Sequence, residues 1–204
     1  MKRLTEQDKQ RVADAIAAVE KDTDAELVTV LAHHADDYTW VSTLWAAMIA
    51  LVVPGLASLG PWWLSGHDWL LLQWVLFVLL AVLFRWQPIY RRLVPKAVRF
   101  RRAAALARIQ FLAQQLHHTK GDTGVLIFVS EAERYVEILA DRGINRFVTP
   151  EDWQSIVDNF TRQVKRGETL QGFLDCIGRT GELLKTHVPA TESKNELPNH
   201  LVIL

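Results

Sequence analysis

The hydrophobic period of the chain changes several times, and each change marks a boundary between elements. Val12, Ala15, Ile16 and Val19 recur at helical spacing after Thr5, with Asp8 three positions beyond the threonine. This pattern predicts a capped amphipathic helix over 6–20. Lys21 to Asp24 is a polar turn, and Glu26–Ala32, ELVTVLA, is so continuously apolar that a strand covered on both faces is predicted. Helical spacing returns over 97–118, where Leu106, Ile109, Leu112 and Leu116 predict a single apolar stripe and the basic residues gather in the first turns. Lys120-Gly121-Asp122 breaks that helix. Gly124–Val129 and Tyr135–Ala140 read as two strands of a hairpin turned through Ser130–Glu133. Thr149-Pro150 with Asp152 starts a helix running to about Val164. A last helix over 168–186 turns Leu170, Phe173, Leu174, Ile177 and Leu184 inwards before Pro189 stops it. The segment after Ala190 is expected to be loosely held.

A different pattern lies between Thr39 and Phe84, where the one formal charge is Asp68. Residues 41–60 carry none, and a helix of that length rises about 30 Å, the thickness of a bilayer's hydrocarbon. Residues 69–84 are shorter by a turn, so the second helix is expected to continue through Arg85 and Trp86 with the arginine reaching towards headgroups. The intervening PWWLSGHD is read as a tight turn. Trp40 and Trp86 would mark one interface and Trp62, Trp63 and Trp69 the other. Gln73 is expected to fasten the pair through Ser42 or Ser58, or to bond to a partner helix.

Charge is distributed unevenly although the formal total is zero. Arg85, Arg91, Arg92, Lys96, Arg99, Arg101 and Arg102 follow the second apolar run, and no acid occurs from 85 to 120. The positive-inside rule then puts both ends of the chain in the cytoplasm and the short turn outside, as expected of a two-span protein of the cell inner membrane. Because the basic run abuts an apolar span, anionic lipid headgroups are its expected partner rather than nucleic acid. No cleavable leader is read in the first thirty residues, and the single Cys176 excludes an internal disulfide.

The predicted fold class is α/β: a small mixed sheet in an α/β/α sandwich, interrupted by a two-helix transmembrane hairpin. The strands at 26–32 and 124–129 are joined through a long helix, which predicts a parallel pair. Residues 1–38 and 87–189 are then two parts of one domain, 39–86 the hairpin, and 190–204 a tail. Since both parts share a sheet, they lie on one side of the membrane, and an even number of spans is required.

The stretches EQDKQRVADAIAAVEKDTDAELVTVLA and GDTGVLIFVSEAERYVEILADRGINRF, continued through the helices to Pro189, together resemble the TPM-domain family, known from thylakoid-lumen repair factors and many bacterial membrane proteins. The resemblance implies the sandwich fold. It also implies a choice of activities, since members have been described as acid phosphatases, as calcium binders and as accessory factors of membrane complexes. The family's G-[YF]-G-L-E stretch after the third strand is replaced here by Leu139-Ala140-Asp141-Arg142-Gly143-Ile144.

Phosphatase chemistry needs a nucleophile, a phosphate cradle and usually a metal or a general acid. Cys176 lies inside a predicted helix with Glu182, not arginine, six residues on, so it is no cysteine-phosphatase loop. Asp22-Thr23-Asp24 precedes a strand, whereas an aspartyl nucleophile belongs at a strand's carboxyl end. No Walker A loop occurs. His33-His34 and His117-His118 fall at opposite ends of the expected parallel pair, so they do not make one metal site. The acids sort by the same geometry. Asp22, Asp24, Glu26, Asp122 and Asp141 fall at one end of the sheet, with Glu26 the weakest member. Asp24, Asp122 and Asp141 are the candidate calcium ligands, against the ordinary use of Asp in turns and caps. Asp36, Asp37, Glu131 and Glu133 fall at the other end and are expected to pair with the basic run. The functional expectation is a membrane-anchored accessory or regulatory module that docks on another membrane protein, the alternative being a weak or metal-assisted phosphatase.

Overall fold

The computed structural model describes residues 5–61, 65–86, 94–191, 198 and 201–204. Trp62 and Trp63, expected at one membrane interface, lie outside these residues.

The chain divides into two compact units, Met1–Ala35 with Phe100–Leu204, and Asp36–Arg99. The first unit is built on a four-stranded mixed sheet, β1 (Glu26–Ala32), β2 (Gly124–Ser130), β3 (Tyr135–Ala140) and β4 (Leu201–Ile203), in the order β3-β2-β1-β4. β1 and β2 are parallel, with Glu26 opposite Gly124 and Ala32 opposite Ser130, while β3 returns antiparallel with Ala140 opposite Val125. Every residue of β1 and β2 is buried, which is why both read as unbroken apolar runs.

Alternate residues serve two cores. Leu27, Leu31, Val125, Ile127 and Val129 meet α1 (Glu6–Glu20) and two later helices over Pro150–Lys165 and Thr169–His187, which supply Ile16, Phe160, Phe173, Ile177 and Leu184. Val28, Val30, Leu126 and Phe128 face α4 (Lys96–Ala113) through Ala103 and Ala107. The helices therefore cover both faces, giving the α/β/α sandwich.

Local chemistry sets the helix ends. Thr5 with Asp8 and Thr149 with Asp152 form capping boxes, the Thr149 hydroxyl lying 2.7 Å from the Asp152 carboxylate. The Thr149 side-chain and backbone donors hold the Asp152 carboxyl below the usual range.

Three departures from the sequence reading concern this unit. The helix expected over 97–118 ends at Ala113, because Gln115 is left-handed (φ 58°) and a separate 3-10 turn, Leu116–His118, follows. Its expected stripe does not face inwards as one: Leu116 is fully buried, but Ile109 and Leu112 are 58% and 56% exposed. The segment expected to be loose supplies β4, which pairs parallel to β1 from Thr29↔Leu201 to Leu31↔Ile203. Flanking bonds join the His33 N–H to the Leu204 carbonyl (2.9 Å) and the Leu204 N–H to the Leu31 carbonyl (3.0 Å).

The second unit holds α2 (Thr39–Ala57) and α3 (Gly66–Leu83), which pack together and are long and apolar enough to cross a membrane by length and composition. The residues that α2 buries include the row Ser42, Ala46, Ala50 and Pro54, whose small size permits close helix approach. None of the residues of α3 is buried. α3 begins earlier than expected: Ser65 and Asp68 form a capping box, so Gly66, His67 and Asp68 belong to its first turn. It also ends earlier, with Phe84 and Arg85 in a turn. Ser42 and Ser58 donate to the Thr39 and Gly55 carbonyls of their own helix rather than to Gln73. Tyr38, itself left-handed (φ 51°), is buried against Val41 and Val94 just before α2.

Candidate functional site

The loop between the 3-10 turn and β2 is shaped by its own polar residues. The Thr119 hydroxyl donates to the Leu116 carbonyl (3.2 Å) and accepts from the Thr123 N–H (3.0 Å). Gly121 (φ 83°) and Asp122 (φ 56°) are consecutive left-handed residues, a conformation glycine and aspartate tolerate best. The Thr123 hydroxyl then bonds to the Asp24 carbonyl (2.9 Å), tying this loop to the turn before β1. Between them lies a pocket of about 250 Å³ lined by Asp24, Glu26, Thr119, Lys120, Gly121 and Thr123, with Val188 closing one side.

Asp24, Asp122 and Asp141 do come to the same end of the sheet, as the strand directions require. They do not come together as a ligand set. Asp24 accepts bonds from the Thr191 N–H (3.0 Å) and hydroxyl. Asp122 points to Arg142 (3.7 Å), and Asp141 caps the short helix α5 (Arg142–Asn145) by accepting the Arg142 N–H at 2.7 Å. Among the described residues no three His, Cys, Asp or Glu side chains converge as metal ligands. Each carboxylate is instead committed to a turn, an ion pair or a cap.

Glu26, the weakest of the sequence candidates, proves the more central: it is 3% exposed and lines the pocket beside Asp24. Lys120, Thr119 and Thr123 were not singled out as site residues. Their signal was the polar run TKGDT at a helix break. Two acids, one lysine and two hydroxyls suit a small polar ligand carrying positive charge.

The opposite end of the sheet is occupied internally. His33 Nδ1 lies 2.9 Å from Glu131, Glu133 accepts the Ala35 N–H (3.1 Å) and the Ser130 hydroxyl, and Ser130 and Glu133 are both buried. The sequence assigned Glu131 and Glu133 to the basic run; among the described residues these bonds tie them to their own turn and the end of β1. His117 and His118 sit at the other end with ring centroids 4.0 Å apart, so the two histidine pairs stay separate.

Burial places Cys176 at 1% exposure and pushes its thiol up to about 12, which makes it an inert core residue. Glu137 on β3 is half-buried, and burial raises its pKa, offset in part by the Tyr135 hydroxyl and Arg108. A carboxyl whose folded pKa is raised holds its proton longer in the folded state, so it costs stability as pH rises through and above the ordinary carboxylate range. Glu137→Gln should therefore raise the melting temperature at about pH 7 and change it little near pH 4. A lower melting temperature at neutral pH would mean that pairing with Arg108 outweighs burial.

Residues 94–183 match the TPM domain. Those residues form a TPM domain. The matched region begins after the hairpin and ends within the helix over Thr169–His187, so α1 and β1 lie outside it although β1 is central to the same sheet. The NMR structure of the BA42 protein from the psychrophilic bacterium Bizionia argentinensis aligns with a TM-score of 0.61 at 20% identity. That alignment covers 98% of this chain and 95% of BA42, a likeness of fold. No curated protein matches the chain.

Proposed function

We propose that this TPM domain is a membrane-anchored accessory module, tethered by α2 and α3 and acting on another membrane protein. The observation that carries the reading is α3, an apolar helix with no residue buried in its own unit. Such a surface calls for lipid or the helices of another membrane protein. The sheet fixes the number of spans that such an anchor must have. β1 and β2 flank the hairpin in sequence yet are hydrogen-bonded neighbours, so a chain that leaves through α2 must return through α3. The basic run from Arg85 to Arg102 favours cytoplasmic ends in an inner membrane.

The pocket beside Asp24, Glu26 and Lys120, whose two carboxylates would suit a cation, favours a second reading, a weak or metal-assisted phosphatase activity. One experiment separates the two. A photoreactive side chain replacing Leu79, 62% exposed on α3, is irradiated in membranes. The purified chain is assayed for calcium-dependent melting and phosphomonoester hydrolysis, with Asp24→Ala and Asp122→Ala as variants. A discrete cross-link to one membrane protein, with no saturable hydrolysis, is expected. Saturable hydrolysis lost in either variant, with no cross-link, would reverse the order of the readings.

A further inference from the structure

The outer face of α4 combines an exposed apolar pair with arginines at its rim. Ile109 and Leu112 stand away from Ala103 and Ala107, the residues through which the helix packs on the sheet. Their neighbours on that outer face follow from helical spacing. Positions 101, 105, 108, 109 and 112 lie on one side, so the apolar pair shares it with Arg101, Ala105 and Arg108, and Arg102 borders it. All three arginines are exposed, and Arg108 at the rim also faces Tyr135 and Glu137 on β3. No acid occurs from Arg85 to Lys120, and α4 begins soon after α3 ends at Leu83.

We infer that the Arg101–Leu112 face of α4 docks on an anionic bilayer surface, with Ile109 and Leu112 entering the headgroup boundary and Arg101, Arg102 and Arg108 engaging lipid phosphates. An apolar centre flanked by arginines is the pattern of a helix that lies in the interfacial plane. The charge is of one sign, which complements anionic headgroups and adds attraction for each arginine brought near them. The inference rests on the anchored reading for the nearness of the bilayer.

The test uses the full chain reconstituted in vesicles, with a nitroxide attached at Ile109→Cys and, as a control, at exposed Glu151→Cys; the buried Cys176 stays unlabelled. Accessibility to oxygen and to an aqueous nickel chelate is measured in bilayers with and without phosphatidylglycerol. Position 109 should become oxygen-rich and chelate-poor in the anionic bilayers alone, while position 151 stays aqueous in both. Replacing Arg101 by Gln should lower the docked-to-undocked ratio about fivefold. A label at 109 equally aqueous in both bilayers would overturn the inference. So would one shielded according to protein density rather than lipid charge, since that marks a contact between copies. Release of the chain by alkaline carbonate would defeat the anchored reading separately, and the lipid dependence at 109 would still decide this face.

Discussion

Residues 94–191 produced without the first 35 are expected to be unfolded. β1 lies between β2 and β4, so its loss removes a middle strand and leaves the long edge of β2 unpaired. The same deletion takes Val12, Ile16, Leu27, Val28, Val30 and Leu31, each 3% exposed or less. Burying an aliphatic side chain of this size contributes about 1.5–3 kcal/mol. Six of them together rival the roughly 5–15 kcal/mol that stabilises a whole domain. The converse chain, 1–35 joined to 100–204 by a flexible linker in place of the hairpin, should melt cooperatively. A cooperative transition in the isolated 94–191 fragment, followed by circular dichroism, would show that the region matching the TPM domain is self-sufficient.

Gly124→Ala should be among the most damaging single substitutions. Gly124 starts β2 beneath the 3-10 turn, and a Cβ there would lie 2.2 Å from the Leu116 carbonyl oxygen. That oxygen belongs to backbone and cannot swing away as a flexible side chain would. Its turn is fixed by the Thr119 hydroxyl and by burial of Leu116. A loss of about 3 kcal/mol is expected in denaturant melts, at the upper end for overpacking. Gly143→Ala should act similarly, since its Cβ would meet the Gly121 carbonyl oxygen at 2.2 Å. Gly55→Ala, where nothing lies within 4 Å, is the control expected to change little. Equal stability of the Gly124 and Gly55 variants would mean that the 3-10 turn is free to move.

These effects show where the sequence was sufficient. α1, β1 and the helix from Pro150 were legible because their signals are local: a threonine with an acid three residues on, or an apolar run that matches a strand covered on both faces. The direction of β2 was legible from the long connection, and with it the gathering of Asp24, Asp122 and Asp141 at one end. α4 failed differently. Its large apolar residues gave the helical period, but the helix approaches the sheet through Ala103 and Ala107, and small residues carry little weight in a hydrophobic pattern. β4 could not be read because three residues acquire strand structure only by adding to an edge distant in sequence. The pocket was missed for a related reason. It depends on which side chains the loop at Lys120 turns towards Asp24 and Glu26, and that is decided by the Thr119 and Thr123 bonds and by left-handed backbone at Gly121 and Asp122.

Anchoring through α2 and α3, with the sheet domain on the cytoplasmic side, is the central claim. Its most direct measurement is labelling of single cysteines in intact cells by a membrane-impermeant maleimide, the native Cys176 being buried and unreactive. His67→Cys, at the exposed start of α3, should label in intact cells, and Glu151→Cys, on the sheet domain, only after permeabilisation. Labelling of Glu151→Cys in intact cells would contradict the account, as would recovery of both variants in the soluble fraction.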